Sequence, residues 1–288
     1  MSTTVTERSV VKIITGQATS DGAGVRLSRV IGTPALDHFD PFLLLDEFKS
    51  DKPDDYLAGF PDHPHRGFET VTYMLAGSMR HKDHVGNQGE LVAGSVQWMT
   101  AGRGIIHSEM PIQKDGLMWG FQLWVNLPAR DKMTAPRYQD IPPDKIPEVT
   151  LAHGVRARVI AGEAGGVYGP VEGITTQPLY LDVTMAPRAR LSHELPAGHN
   201  AFAYVYDGRM RFGPAEGGGA EMLSTGQLAV LGDGERLSAA TGDGHARFLL
   251  LAARPLREPI ARYGPFVMNT RAEIVRAVED YQRGALLG

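Results

Sequence analysis

The plainest pattern in the chain is a strict alternation from Leu117 to Val125. Leu117, Trp119, Phe121, Leu123 and Val125 are separated by Met118, Gly120, Gln122 and Trp124. A period of two puts a wholly apolar set on one face of a β-strand. Val10 to Ile14 and Val25 to Ile31 predict short opening strands, the second ending at Gly32. A loop region rich in Asp, Pro and Phe follows, from His38 to Pro64. Phe68 to Leu75 reads as a strand, Ala76-Gly77-Ser78 as a turn, and Met79 to Val85 and Leu91 to Thr100 as two more strands. Strand patterns resume at Val155 to Ile160, at Leu179, Leu181, Val183 and Met185, and at Phe202, Tyr204 and Tyr206 before an Asp207-Gly208 turn.

Between these two series lies 135–147, with Pro136, Pro142, Pro143 and Pro147 in a polar setting. Proline removes donors and fixes φ, so an extended linker is expected there. The boundary separates an N-terminal domain, 1–134, from a C-terminal domain, 148–288. Only the end of the chain has a helical pattern. Thr270-Arg271-Ala272-Glu273 fits a capping box. Ile274, Val278 and Tyr281 form an apolar stripe widened by Val275 and Ala277, and Gly284 supplies a stop. A helix over about 270–283 is expected, docked on the β-structure.

The two halves echo each other. Tyr73, Gly77, Met79 and Arg80 fall, about 131 residues on, upon Tyr204, Gly208, Met210 and Arg211. One β-domain in two copies accounts for this.

Composition narrows the classes. Of 288 residues, 42% are hydrophobic and 22% charged, which suits a soluble globular protein with filled cores. The formal net charge of −4, with no long run of either sign, argues against a direct nucleic-acid or anionic-membrane surface. Without cysteine there is no disulfide, zinc finger or thiol nucleophile. No signal-peptide pattern opens the chain and no apolar run reaches the ~18 residues of a membrane span, so a cytoplasmic location is expected.

The candidate chemistry sits in His63-Pro64-His65 and His107-Ser108-Glu109. Spacing of i, i+2 puts each pair on one strand face, and two neighbouring strands would bring three imidazoles and a carboxylate together. Such a set suits one mononuclear divalent transition metal. Two unrelated histidine-bearing surface strands are the alternative. Glu69, an even four residues after His65, shares its face if the strand stays regular. It would then be a fifth ligand or hold an imidazole N–H, unless it is a solvated carboxylate at the rim. Gly102 and Gly104 permit a tight bend before His107. Carrying the repeat forward puts Glu194, Pro196, Ala239 and Thr241 in place of the four ligands, so the second copy holds no metal. His38, His81, His84, His153, His193, His199 and His245 lack a paired spacing and are expected in loops or on the surface. Trp98, Trp119 and Trp124 are expected in the core.

The chain resembles the pirin family of the cupin superfamily from end to end. The resemblance rests on His38-Phe39-Asp40-Pro41-Phe42 to Asp46-Glu47-Phe48, on 62–70 around His63 and His65, and on 97–111 ending Ile106-His107-Ser108-Glu109-Met110-Pro111. Gln122 to Leu127, Glu258-Pro259-Ile260 and 264–270 continue it. It implies an all-β fold of two tandem cupin (jelly-roll) β-barrels, the metal in the first. It also implies His63, His65, His107 and Glu109 as ligands. The implied metal is Fe(II), with Cu, Mn, Ni, Co or Zn as alternatives. Two functions are attached to the family. One is quercetin 2,3-dioxygenase activity, in which dioxygen opens a flavonol with loss of carbon monoxide and Glu109 or Glu69 takes the proton. The other is iron-dependent redox-sensing regulation through contact with a protein partner that this sequence does not name.

Overall fold

The computed structural model describes residues 5–214 and 219–287. The chain divides into two compact units, and each draws on both ends of the sequence. One comprises Met1–Gly16 and Asp144–Pro255, the other Gln17–Pro143 and Leu256–Gly288. The first strand and the terminal helix therefore each belong with the distant half of the chain.

Up to the end of the second unit's main segment the strands are β1 (Val10–Thr15), β2 (Gln17–Asp21), β3 (Val25–Ile31), β4 (Phe42–Ser50), β5 (Phe60–His65) and β6 (Phe68–Ala76). They continue as β7 (Ser78–Asp83), β8 (Gln88–Val92), β9 (Val96–Thr100), β10 (Ile105–Pro111), β11 (Met118–Asn126) and β12 (Arg137–Ile141). In the second unit a seven-stranded sheet runs β12-β9-β6-β11-β4-β3-β2, and a four-stranded sheet runs β5-β10-β7-β8. Their facing sides share one apolar cluster: Val25, Leu27, Phe48 and Met118 from the larger sheet, Met79 and Leu91 from the smaller. The alternating segment forms β11 from Met118 onward: Phe121, Leu123 and Val125 are buried as expected, whereas Trp119 is half-buried and Leu117, outside the strand, is exposed.

The other unit carries a nine-stranded sheet in which β1 pairs with Gln227–Leu231 and the long strands Asn200–Phe212 and Arg236–Ala253 lie at the centre. Its interior is filled by side chains such as Leu181, Val183, Phe212, Phe248 and Leu250. The repeat has a structural counterpart. Tyr73 and Tyr204 are both buried, Gly77 and Gly208 both have φ above +80°, and Met79 and Met210 are both buried beyond them.

The expectation of closed jelly-roll β-barrels is not met. Among the described residues no sheet closes on itself; each ends in edge strands. The fold is mostly β, with large sheets of the kind expected for tandem cupin domains. The physical reason for the open edges is visible in the sequence. β5 contains Pro61 and Pro64, and β12 is flanked by Pro136, Pro142 and Pro143. Proline cannot donate to a second ladder, so such strands stay at an edge. The stretch 135–147 is correspondingly not an uninterrupted linker: Arg137–Ile141 pairs with β9.

The C-terminal helix α1 spans Arg271–Gln282, and its capping box forms. Thr270 accepts from the Glu273 backbone N–H, and the Glu273 side chain accepts from the Thr270 backbone. Ile274 and Ala277 are buried with Phe266, Met268 and Leu286. No helix among the described residues is long and apolar enough to cross a membrane.

Candidate metal centre

β5 and β10 are antiparallel neighbours, with His107 opposite His63 and Ile105 opposite His65. Residues paired this way project to the same face. One nitrogen from each of His63, His65 and His107 lies within 4.8 Å of the others. Their ring centroids are 4.5 to 5.1 Å apart. His65 and His107 are buried, and His63 is half-buried. The bend that leads into β10 depends on Gly102, where φ is +51° and a β-carbon would lie 2.2 Å from the Thr134 carbonyl oxygen.

The protonation pattern favours metal binding. His63 Nδ1 lies 2.8 Å from the Pro61 carbonyl oxygen, which can only accept, so Nδ1 is the donor there and Nε2 is the nitrogen left to face the cluster. Burial first, then the neighbouring imidazoles, holds His65 and His107 well below the usual histidine range. Both are therefore neutral donors at pH 7. His65 Nδ1 and both nitrogens of His107 are buried without a hydrogen-bond partner. Unsatisfied buried nitrogens are costly, and one divalent cation would satisfy three imidazoles at once. The residues present fit such an ion.

Glu109 shares the region but not the tight cluster. The ladder between β5 and β10 slips after His107, so Glu109 pairs with Phe60. Its carboxylate is not within 4.8 Å of all three nitrogens. Thr72 Oγ1 lies 2.9 Å from Glu109 Oε1 and 2.6 Å from Gln122 Oε1, and its single proton serves one of them at a time. Gln122 Nε2 is 3.5 Å from the other Glu109 oxygen.

Glu69 is elsewhere. The chain leaves the small sheet at His65 and enters the large one at Phe68, so parity does not carry across Arg66-Gly67. On β6, Thr72 faces the site, and Glu69, an odd step away, faces the opposite side. There it accepts a 2.7 Å hydrogen bond from Thr100 Oγ1. The expectation that it shares the histidine face is corrected by this crossover.

A cavity of about 560 Å³ opens on His63 and His65. Leu27, Leu44, Phe48, Phe60 and Met79 supply apolar wall, with Glu109 and Gln122 as polar groups. Trp124 is only half-buried and lines this cavity, its ring edge-on to His65 at 5.3 Å, so it is not the core residue expected. The Arg262 guanidinium lies 4.9 Å from the Trp124 ring centre. Sequence reasoning also misplaced His81. It is buried on β7, stacked on Tyr138 at 5.2 Å and 3.3 Å from Asp140, where a second, polar cavity of about 760 Å³ opens. Its signal was the alternation Met79, His81, Asp83, whose members are all buried.

Comparison with known proteins identifies the family. The Pirin family model matches residues 24–125, and the Pirin C-terminal cupin domain model matches residues 180–287. A Pseudomonas aeruginosa protein provisionally named as a quercetin 2,3-dioxygenase is 52% identical over 97% of this chain and 98% of its own. Human pirin is 43% identical over 96% of this chain and 92% of its own. A crystal structure of quercetin 2,3-dioxygenase from Acinetobacter baumannii superposes with a TM-score of 0.88 at 34% identity, covering 97% of this chain and 98% of that one. With its three-histidine cluster and these matches over nearly its whole length, the chain belongs to the pirin family of the cupin superfamily.

Proposed function

We propose that the protein is a metal-dependent dioxygenase of the quercetin 2,3-dioxygenase type, acting on a flavonol-like substrate. The observation that carries this reading is the convergence of three imidazoles, two of them lining a cavity large enough for a flat aromatic molecule. The family relationship supports it. His63, His65 and His107 would hold Fe(II), or another divalent transition ion, with Glu109 as fourth donor only while no substrate is bound, so that it is free to act as base. When bound, the ion supplies Lewis acidity and redox exchange with dioxygen, which the side chains lack.

The chain supplies the rest. Apolar side chains and Trp124 would seat the flavonol rings and exclude water. The Glu109 carboxylate, freed from the Thr72 hydroxyl, would accept the proton of the flavonol 3-hydroxyl. Thr72 can turn its proton to Gln122 instead, so releasing Glu109 leaves no buried hydroxyl unpaired. Glu69, on the opposite face of β6, takes no part in this scheme.

The test is anaerobic purification with elemental analysis, then oxygen uptake with quercetin on wild-type protein and on His107→Ala. Iron, with quercetin-dependent uptake lost in the variant, is expected. Iron without uptake would favour the redox-regulator reading, and zinc at full occupancy a structural site. Glu109→Gln should retain bound metal while turnover falls by about 10²-fold or more. Full turnover in that variant would remove the proton-accepting role.

A further inference from the structure

We infer that Arg66 is a positioning residue for the histidine cluster, acting by fastening the C-terminal segment onto the turn that carries His65. This rests on the reading of that cluster as a metal centre. The problem it solves is mechanical. β5 is an edge strand, paired on one side with β10 and carrying Pro61 and Pro64. His65 is its last residue, and the chain then crosses to the other sheet. A ligand at the frayed end of a proline-bearing edge strand would ordinarily be poorly held.

The segment Leu256–Gly288, returning from the far end of the sequence, takes the place of a neighbouring strand. Arg66 and Phe266 form an isolated parallel bridge. The Arg66 N–H donates to the Pro265 carbonyl at 3.3 Å, and the Val267 N–H donates to the Arg66 carbonyl at 3.0 Å. Gly67 permits this approach: its φ is +89°, and a β-carbon there would lie 2.0 Å from the Val267 carbonyl oxygen. The buried Lys132 ammonium spans the junction, donating to the carbonyls of Gly67 at 2.7 Å and Val267 at 3.0 Å and to Asn126 Oδ1 at 2.7 Å.

The Arg66 side chain ties the same turn to the other histidine strand. The side chain is 4% exposed. Nε donates to the Arg103 carbonyl, in the bend that launches β10 and His107. Nη1 pairs with Asp280 on α1 at 2.7 Å, and Nη2 donates to the Leu286 carbonyl at 3.1 Å. One planar fork thus joins the His65 turn, the approach to His107, the helix and the tail. A lysine has one nitrogen and cannot reach all of these. Groups that orient metal ligands from behind typically govern affinity by about 10- to 100-fold.

The test measures Ni(II) affinity by calorimetry and the visible spectrum of the Co(II)-loaded protein, alongside the thermal midpoint of the metal-free protein. Arg66→Met should weaken Ni(II) binding by about 10- to 100-fold and alter the Co(II) spectrum, with Arg66→Lys in between. Asp280→Asn is a conservative change at a partly exposed side chain on α1, so it carries the test should Arg66→Met fail to fold. A loss of affinity of about three-fold or more in Asp280→Asn would support the inference. Variants that lower the thermal midpoint but leave affinity and spectrum unchanged would overturn it, because the fastening would then be structural only. Absence of Ni(II) binding in the wild-type protein would instead overturn the metal reading itself.

Discussion

Glu69 and Glu109 are buried carboxylates on strands of different sheets, and their surroundings give them different work. Glu109 lines the cavity. Glu69 is 2% exposed, and burial pushes its pKa up to about 7, against the hydrogen bond from Thr100 and the nearby Trp98 and Arg137. In the unfolded chain it titrates near 4.5. Between these values the folded protein holds a proton that the unfolded chain releases. The stability associated with neutral Glu69 is therefore complete below pH 4.5 and lost as pH rises through 7. The span corresponds to ~3 kcal/mol. Glu69→Gln, neutral throughout, should flatten the decline. Urea unfolding of both proteins at pH 5 and pH 7.5 checks this by difference, which cancels the other titrating groups. Equal slopes would mean that Glu69 stays ionised in the fold.

At the level of elements, period-two patterning made most strands legible because each sheet has one face on an apolar core. β11 is the clear case, and the repeated Tyr-Gly-Met segment another. The pattern failed where the chain changes sheets. Counting even steps from His65 to Glu69 assumes one continuous strand, and Arg66-Gly67 breaks it. It failed also on β7 and β9, where buried polar side chains meet Asp140: His81 lies 3.3 Å from it, and Gln97 donates to it at 2.8 Å. A hydropathy alternation marks such positions as exposed. The histidine spacing survived because His107 and His63 are direct register partners. The place of Glu109 was less legible, since the slip in the β5–β10 ladder has no signature in composition. The helix was read correctly from its cap because that signal is local: Thr270 and Glu273 satisfy each other whatever the helix packs on.

For the molecule as a whole, what could not be read from the chain is that its units are discontinuous. A linear boundary at 135–147 leaves β1 with the histidine-bearing segment, yet β1 pairs with Gln227–Leu231. It also leaves 256–288 with the other half, yet Val267 packs with Leu43 and Phe68, and Phe266 and Leu286 pack near Ile106. Phe266, Val267, Met268, Ile274 and Leu286 are all buried. At about 2 kcal/mol each, their burial contributes on the order of 10 kcal/mol, as much as the whole stability of an ordinary domain. The segment Gln17–Pro143, although it contains all three histidines, should therefore neither unfold cooperatively nor bind Ni(II). Joining Leu256–Gly288 to it through a flexible linker should restore a thermal transition and Ni(II) binding together. Circular dichroism melting and calorimetry on the two constructions decide the point. If Gln17–Pro143 alone melted cooperatively and bound Ni(II) as the full chain does, the returning segment would be dispensable to the unit. Recovery of the melt without Ni(II) binding would separate folding of the unit from assembly of its centre.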